Sequence, residues 1–366
     1  MSKRLDDLLG DSLFQINLVL WMLQPPNGSG VRPLLSQAGY RLRSIEETLP
    51  LHPELQTQLQ RAGIHAKPNG APDALINGDE SDHVLVECKA SMFGARAVEG
   101  GNDSNQRQAR AFLLQTPTVL QSALGGTHVK DSALVYITKH NPAHPQSEGV
   151  TQLGVELRTA KFSTVLCCVL RLIEHNGGIG IAAAKRGEKW PKRVVAATRS
   201  KTDKPVIRLI ASDEGGNDLR PLYFMPWMPD CDPEPDEYAK KAFTRRVLGA
   251  AVTRIGRTSI GEDAVLRYEE ILDEVTQGVF GKWKNREGRK RLHDNARKLI
   301  IQHVKKTGAL SNGSGDGQSI AVKISEEKIK SDLIKAFRES ADLKWNDPEE
   351  PTLFDKAPGP EDEEQK

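Results

Sequence analysis

The sequence predicts an α/β domain followed by a mainly helical, basic one, and three observations carry that expectation. Helical patterns alternate with strand-length apolar runs in the N-terminal part: a helix over 34–47, apolar runs at Ala74–Ile76 and His83–Val86, a helix from Ser104 to Leu114, and a continuous apolar run at Ala133–Thr138. Prolines 226, 229, 233 and 235 then mark a boundary. Beyond it, from Glu237 to about Lys306, the pattern is helical and rich in Lys and Arg. A chain of 366 residues has room for about two such domains.

Taken in order, residues 3–23 read as an amphipathic helix ended by Pro25-Pro26-Asn27-Gly28. The apolar stretch Leu13–Leu23 follows Asp6, Asp7 and Asp11, whereas a signal peptide has a basic lead. In the 34–47 helix, Leu34, Leu35, Tyr40, Leu42 and Ile45 fall at helical spacing. A short helix, Glu54 to Ala62, follows Pro53 and stops at Gly63. Gly78 to Asp82 is a turn by composition and makes the runs on either side a β-hairpin. Residues 94–103 are a Gly-rich loop, with Ser104 as N-cap of the next helix. Residues 150–174 read as helix, with strand an alternative for Val165–Val169, and Cys167-Cys168 as core. A Gly-then-basic insertion fills 176–204, and Val206–Ala211 and Leu222–Met225 read as strands extending the sheet. The domains are therefore 1–29 (N-terminal helix), 30–235 (α/β), 236–345 (basic, helical) and 346–366 (an acidic tail expected to be disordered).

The net charge of +2 conceals strong segregation. Residues 281–306 hold ten Lys or Arg against Glu287 and Asp294, and the tail from Asn346 holds eight acids against Lys356 and Lys366. Basic blocks in a near-neutral chain point to a polyanionic partner. The cysteines, 88, 167, 168 and 231, form no CxxC pair, which argues against structural zinc and a disulfide framework. A reducing cytoplasm is the expected setting. No run approaches the roughly 20 apolar residues of a membrane span.

The chemistry is concentrated between Pro72-Asp73 and Glu87-Cys88-Lys89. Side chains alternate along a strand, so His83, Leu85, Glu87 and Lys89 share one face while Val84, Val86, Cys88 and Ala90 turn to a core. Two acids and one lysine thus flank a hairpin. Mg2+ favours hard oxygen ligands, and one or two carboxylates suffice beside waters and a substrate phosphate. The acid-x-lysine piece recurs at Glu326-Glu327-Lys328, Asp342-Leu343-Lys344 and Glu364-Gln365-Lys366. Only the copy at Glu87 ends an apolar β-run and follows a Pro-Asp at hairpin distance.

This pattern resembles the PD-(D/E)xK nuclease superfamily. The resemblance covers about a hundred residues, from 34–47 to 133–138, and implies a restriction-endonuclease-like α-β-β-β-α-β core with a mixed sheet, whose faint leading strand would lie near Ile64–Ala66. It implies Mg2+ as cofactor, with Mn2+ substituting. Asp73, Glu87 and the Cys88 backbone carbonyl would hold the metal, and Lys89 would orient water and stabilise developing charge. The family often adds an acid from the preceding helix, for which Glu47 is the first choice over Glu46 and Glu54. It sometimes adds a glutamine from the following helix, for which Gln106 and Gln108 are available. Gln108 to Phe112 is similar to a Gln-xxx-Tyr pattern, although Phe112 lacks the hydroxyl, and Arg107 or Arg110 could bind phosphate.

The C-terminal basic block supplies the DNA-binding candidates Lys282, Lys284, Arg286, Arg289, Lys290 and Arg291 in a winged-helix-like or helical unit, with Trp283 placed to stack or wedge. The expected function is metal-dependent hydrolysis of DNA phosphodiester bonds, in bacterial restriction or phage defence by class frequency. The rival is a non-catalytic DNA-binding or complex-assembly protein that retains the fold. A double-strand cut needs two sites, which a homodimer would supply. No Gly-Lys-Ser/Thr phosphate loop is present, so ATP-driven movement would need a separate ATPase or effector partner. Gly178 to Ala183 matches a dinucleotide pattern too loosely to count, His140 and His144 read as polar loop residues, and Leu353-Phe354 reads as chance.

Overall fold

The computed structural model describes residues 5–24, 34–78, 81–90, 93, 103–139, 149–175, 178–181, 207–208, 223–228, 237–307, 309 and 317–340. The Gly-rich loop up to 102, His140, His144, Cys231, most of the basic insertion and the acidic tail lie outside them.

The architecture is mixed α/β with a mainly helical C-terminal region. The helices are α1 (Leu5–Leu9), α2 (Ser12–Leu23), α3 (Leu34–Gln37), α4 (Pro53–Arg61), α5 (Ser104–Leu113), α6 (Pro117–Ala123), α7 (Gly149–Thr159), α8 (Glu237–Arg257), α9 (Tyr268–Val275), α10 (Arg286–Lys306) and α11 (Glu327–Ser340). The strands are β1 (Tyr40–Ile45), β2 (Leu49–Pro50), β3 (Asn69–Gly70), β4 (Ala74–Gly78), β5 (Asp82–Cys88), β6 (Asp131–Lys139), β7 (Leu166–His175), β8 (Gly178–Ile181), β9 (Ile207–Arg208), β10 (Asp263–Arg267) and β11 (Ser319–Lys323).

The main sheet runs β1-β4-β5-β6-β7-β8-β9. β1, β4 and β5 pair antiparallel, β5, β6 and β7 pair parallel, and β8 and β9 return antiparallel. The parallel centre explains its sequence: strands covered on both faces read as continuous apolar runs. Val84, Val86, Cys88, Val135, Ile137 and Leu170 face one core, shared with α1, α2 and α3. Leu75, Leu85, Leu134, Tyr136 and Val169 face a second core, shared with α5, α6 and α7. His83, Leu85 and Glu87 are therefore buried as well; alternation identifies the faces of β5, but neither is left to solvent.

Four expectations change. The 34–47 segment is a single helical turn, α3, followed by β1. The leading strand of the sheet is thus β1, and residues 64–66 form no strand. Residues 150–174 divide into α7 and β7, so the strand alternative holds there and carries Cys167 and Cys168 into the core. The N-terminal segment is two helices. α2 is apolar all round, with nearly every residue after its first buried, as a helix enclosed on all sides must be. Its start is fixed by Asp11, whose carboxylate accepts from Leu13 N–H at 2.9 Å. Met225 belongs to no strand; its N–H and C=O are instead paired with the buried Asn17 amide at 3.1 and 3.0 Å.

The C-terminal region follows the order α8, β10, α9, α10, β11, α11, with β10 and β11 antiparallel. Its core is continuous with that under α1–α3, through contacts such as Trp227 against Phe243 at 5.2 Å between ring centroids.

Candidate functional site

The hairpin register ends at Ala74 opposite Val86. One step further out, Asp73 meets Glu87: Asp73 N–H donates to Glu87 Oε2 at 3.3 Å, and Cys88 N–H donates to Asp73 Oδ2 at 2.6 Å. Lys89 Nζ lies 2.7 Å from Glu87 Oε1. Gln108 Nε2, on α5, donates to the same oxygen at 3.2 Å. Asp73 just before β4, Glu87 in β5, Lys89 just after it and Gln108 on α5 therefore converge within hydrogen-bonding distance. Cys88 takes part through its backbone, while its side chain is fully buried.

The helix α5 is held by close packing. A Cβ on Gly70 would come within 2.8 Å of the Phe112 ring, so only glycine lets β3 lie this close. Phe112 is consequently core, which removes it as a substrate contact. Gln106 is also fully buried, and Arg110 Nη1 is bound to the His65 carbonyl at 3.0 Å, whereas Arg107 is exposed.

Electrostatics set the character of the site. Burial, reinforced by the Glu87 charge, pushes the Asp73 carboxyl well above the ordinary carboxylate range against the pull of Cys88 N–H and Lys89. Burial likewise raises Glu87, opposed by Lys89. For Lys89, burial favours the neutral amine, but Glu87 and Asp73 outweigh it and the net shift is upward. Lys89 therefore remains an ammonium, suited to act as an electrostatic clamp more than as a base. When both buried carboxylates are ionised, one ammonium leaves a net negative charge that a cation would offset.

Among the described residues no group of three or more His, Cys, Asp and Glu stands ready to hold a metal ion. The hard oxygen donors of Asp73 and Glu87 nevertheless fit Mg2+, which keeps most of its waters.

The acids expected from a preceding helix are placed differently, because that helix is absent. Glu47 turns back onto β1, accepting from the Ser44 hydroxyl, and its charge acts on His83 at the opposite end of β5. The structure does not bring Glu47 to the carboxylate pair. Glu54 lies out on α4, its side chain 84% exposed. Glu46 is the acid nearest in effect. It adopts a left-handed backbone (φ 50°), its N–H donates to Asp73 O at 3.4 Å, and its charge raises Asp73.

Glu46 Oε2 is fixed from the C-terminal region, by Trp283 Nε1 at 2.7 Å and Asn285 Nδ2 at 3.2 Å. Lys284 N–H donates to Ile45 O at 2.9 Å, extending an isolated bridge between Ile45 and Trp283. Trp283 is fully buried, which corrects the expectation that it stacks on nucleic acid. Asn285 is also the N-cap of α10, accepting from Gly288 N–H at 2.9 Å. The basic helix therefore starts at the edge of the carboxylate site. Lys282 and Lys284, just before it, and Arg286, Lys290 and Arg291, on it, are exposed, with Arg291 paired to Glu287. Arg289 lies 4.8 Å over the Phe280 ring and 3.5 Å from Glu269.

Sequence reasoning missed two neighbours of the pair. Lys67, in the segment before β3, acts on Glu87. Tyr136 stands in register with Glu87 on β6. Neither lies in a motif, and only the folded sheet brings them near. Comparison with protein-family models, curated proteins and solved structures finds no match to this chain. Among the described residues no helix is long and apolar enough to cross a membrane.

Proposed function

We propose that this protein is a metal-dependent nuclease that hydrolyses DNA phosphodiester bonds, with a restriction-endonuclease-like site built on β4, β5 and α5. The observation that carries the reading is the convergence of Asp73, Lys89 and Gln108 on the buried Glu87 carboxylate. Asp73 and Glu87, with the Cys88 carbonyl, would hold Mg2+ or Mn2+, which when bound lowers the pKa of water and offsets charge on a phosphate. Cys88 N–H fixes the Asp73 carboxylate, and Gln108 fixes Glu87. Lys89, 30% exposed and kept charged by its neighbours, presents its ammonium to the phosphate and to the charge that develops on it.

DNA is the preferred polyanion because Lys282, Lys284, Arg286 and Lys290 are exposed where α10 begins, beside Glu46 and the site. Arg289 and Arg291 belong to the same basic face. The order helix, strand, helix, helix, strand from α8 to β11 is that of a winged-helix unit, with α10 in the position of the recognition helix. Service in restriction or phage defence, a homodimer for paired cuts and a separate ATPase or effector remain parts of this proposal.

The test is cleavage of plasmid and oligonucleotide DNA with Mg2+, Mn2+ or EDTA, comparing wild type with Asp73→Ala and Lys89→Ala. Metal-dependent cleavage lost in both variants supports the reading. Equal cleavage by all three proteins sinks the site. Salt-sensitive binding with no cleavage under any condition would favour the non-catalytic DNA-binding or assembly role.

A further inference from the structure

The strand β6 is apolar along most of its length, and Ser132, Leu134 and Tyr136 fall on one of its faces. Leu134 and Tyr136 join the core under α5, the side on which Gln108 reaches Glu87. Tyr136 is only 1% exposed, and among the described residues its hydroxyl has no hydrogen-bond partner. Phenylalanine would fill that space equally well without stranding a polar atom, which in the interior carries a desolvation cost. The orphaned hydroxyl is also not remote from polar groups. Tyr136 is the register partner of Glu87 on the adjacent parallel strand, and the charges of Glu87 and Asp73 both act on its phenol. Among the described residues, the hydrogen-bonding partners of the Glu87 and Asp73 carboxylates lie on or beside β4, β5 and α5, and β6 supplies none of them.

We propose that Tyr136 is a positioning residue of this site: its hydroxyl donates to a water that it holds against the Glu87–Asp73 pair, in the outer shell of the cation that those carboxylates take. The inference rests on the nuclease reading for the cation and on the buried, unpartnered hydroxyl for the residue. A buried water needs two or more polar partners, and Tyr136 Oη with the two carboxylates supplies them. Acting through that water, the phenol would orient Glu87 from β6, a strand that supplies neither Lys89 nor Gln108.

The experiment is Mn2+ titration by calorimetry on the full chain, comparing wild type, Tyr136→Phe and Asp73→Ala, with metal-free melting temperatures measured in parallel. Removing one oxygen from Tyr136 is expected to weaken Mn2+ binding about tenfold, the usual effect of losing an outer-shell partner. The metal-free melting temperature should stay level or rise, because a buried unpartnered hydroxyl is lost. An unchanged Mn2+ affinity in Tyr136→Phe, with binding lost in Asp73→Ala, would overturn the Tyr136 role and leave the carboxylate site standing. Mn2+ binding that survives intact in Asp73→Ala would overturn the site reading and the Tyr136 role with it. A lower melting temperature at unchanged affinity would mark the phenol as packing alone and also overturn the proposal.

Discussion

Trp283 donates its indole N–H to Glu46 across 237 positions of sequence, at 2.7 Å. The bond joins the start of the basic helix to the residue whose backbone N–H reaches Asp73. Trp283 is thus part of a joint between the two regions. Trp283→Phe keeps an aromatic ring but leaves a Glu46 oxygen without its shortest donor. Urea denaturation is expected to show a loss of about 1.5–3 kcal/mol, the range for a bond to a charged acceptor. DNA affinity at fixed salt should remain unchanged. Weakened DNA binding at full stability would instead make Trp283 a nucleic-acid contact.

The buried Asp73 carboxylate is costly to the fold when it ionises. Its folded pKa is raised, first by burial and then by Glu87, so the folded state holds the proton more tightly than the unfolded chain does. The stability contributed by this group is present below the ordinary carboxylate pKa and is lost as pH rises through the raised one. Asp73→Asn removes the charge and retains an oxygen for Cys88 N–H. In EDTA at neutral pH the variant should be more stable than wild type by about 1–3 kcal/mol, with a smaller fall in stability between acid and neutral pH. The same variant should lose Mn2+ binding. A variant less stable than wild type at neutral pH would show that the carboxylate is not under strain.

The hairpin was legible because its two signals agree: turn residues between two short apolar runs, and a Pro-Asp at the distance that the antiparallel register requires. The leading strand was not. Tyr40 and Leu42 alternate as a strand should, but the register shifts between Leu42 and Ser44, and the next core residue becomes Ile45. A bulge that turns a spacing of two into a spacing of three imitates helical periodicity. The part of β7 about Cys167 and Cys168 was ambiguous for another reason, since a strand buried on both faces has no period to read. The Glu46–Trp283 joint and the Glu87–Tyr136 register are contacts between distant segments, and no local pattern encodes them.

Lys89 separates two mechanisms. Its ammonium is stabilised by Glu87 and Asp73 beyond the effect of its own burial, so it stays charged through neutral pH. Lys89→Ala should lower single-turnover cleavage about 10²–10³-fold, the usual cost of removing one charge-stabilising donor. The rate should rise with pH as the raised carboxylates ionise, with no second rise attributable to deprotonation of Lys89. An alkaline rise present in wild type and missing in Lys89→Ala would identify the lysine as a base.

The basic helix makes an unequal prediction for six residues of similar charge. Lys284, Arg286 and Lys290 are exposed near the joint, with Lys282 just before them. Arg291 is engaged by Glu287, and Arg289 by Glu269 and the Phe280 ring. An arginine already paired displaces fewer counterions on meeting a phosphate, because part of its charge is answered within the protein. Each free cation that contacts a phosphate adds about 0.9 to the slope of log affinity against log salt. Lys284→Ala, Arg286→Ala and Lys290→Ala should each lower the slope by about that amount, measured by fluorescence anisotropy over a salt series, and should weaken binding without regard to DNA sequence. Arg291→Ala should lower it less. Arg289→Ala should act chiefly on stability, since it strips a cation from the Phe280 ring. Equal slope losses in all five variants would mean that the internal pairs open on binding and that the whole face, not its site-proximal end, carries the DNA.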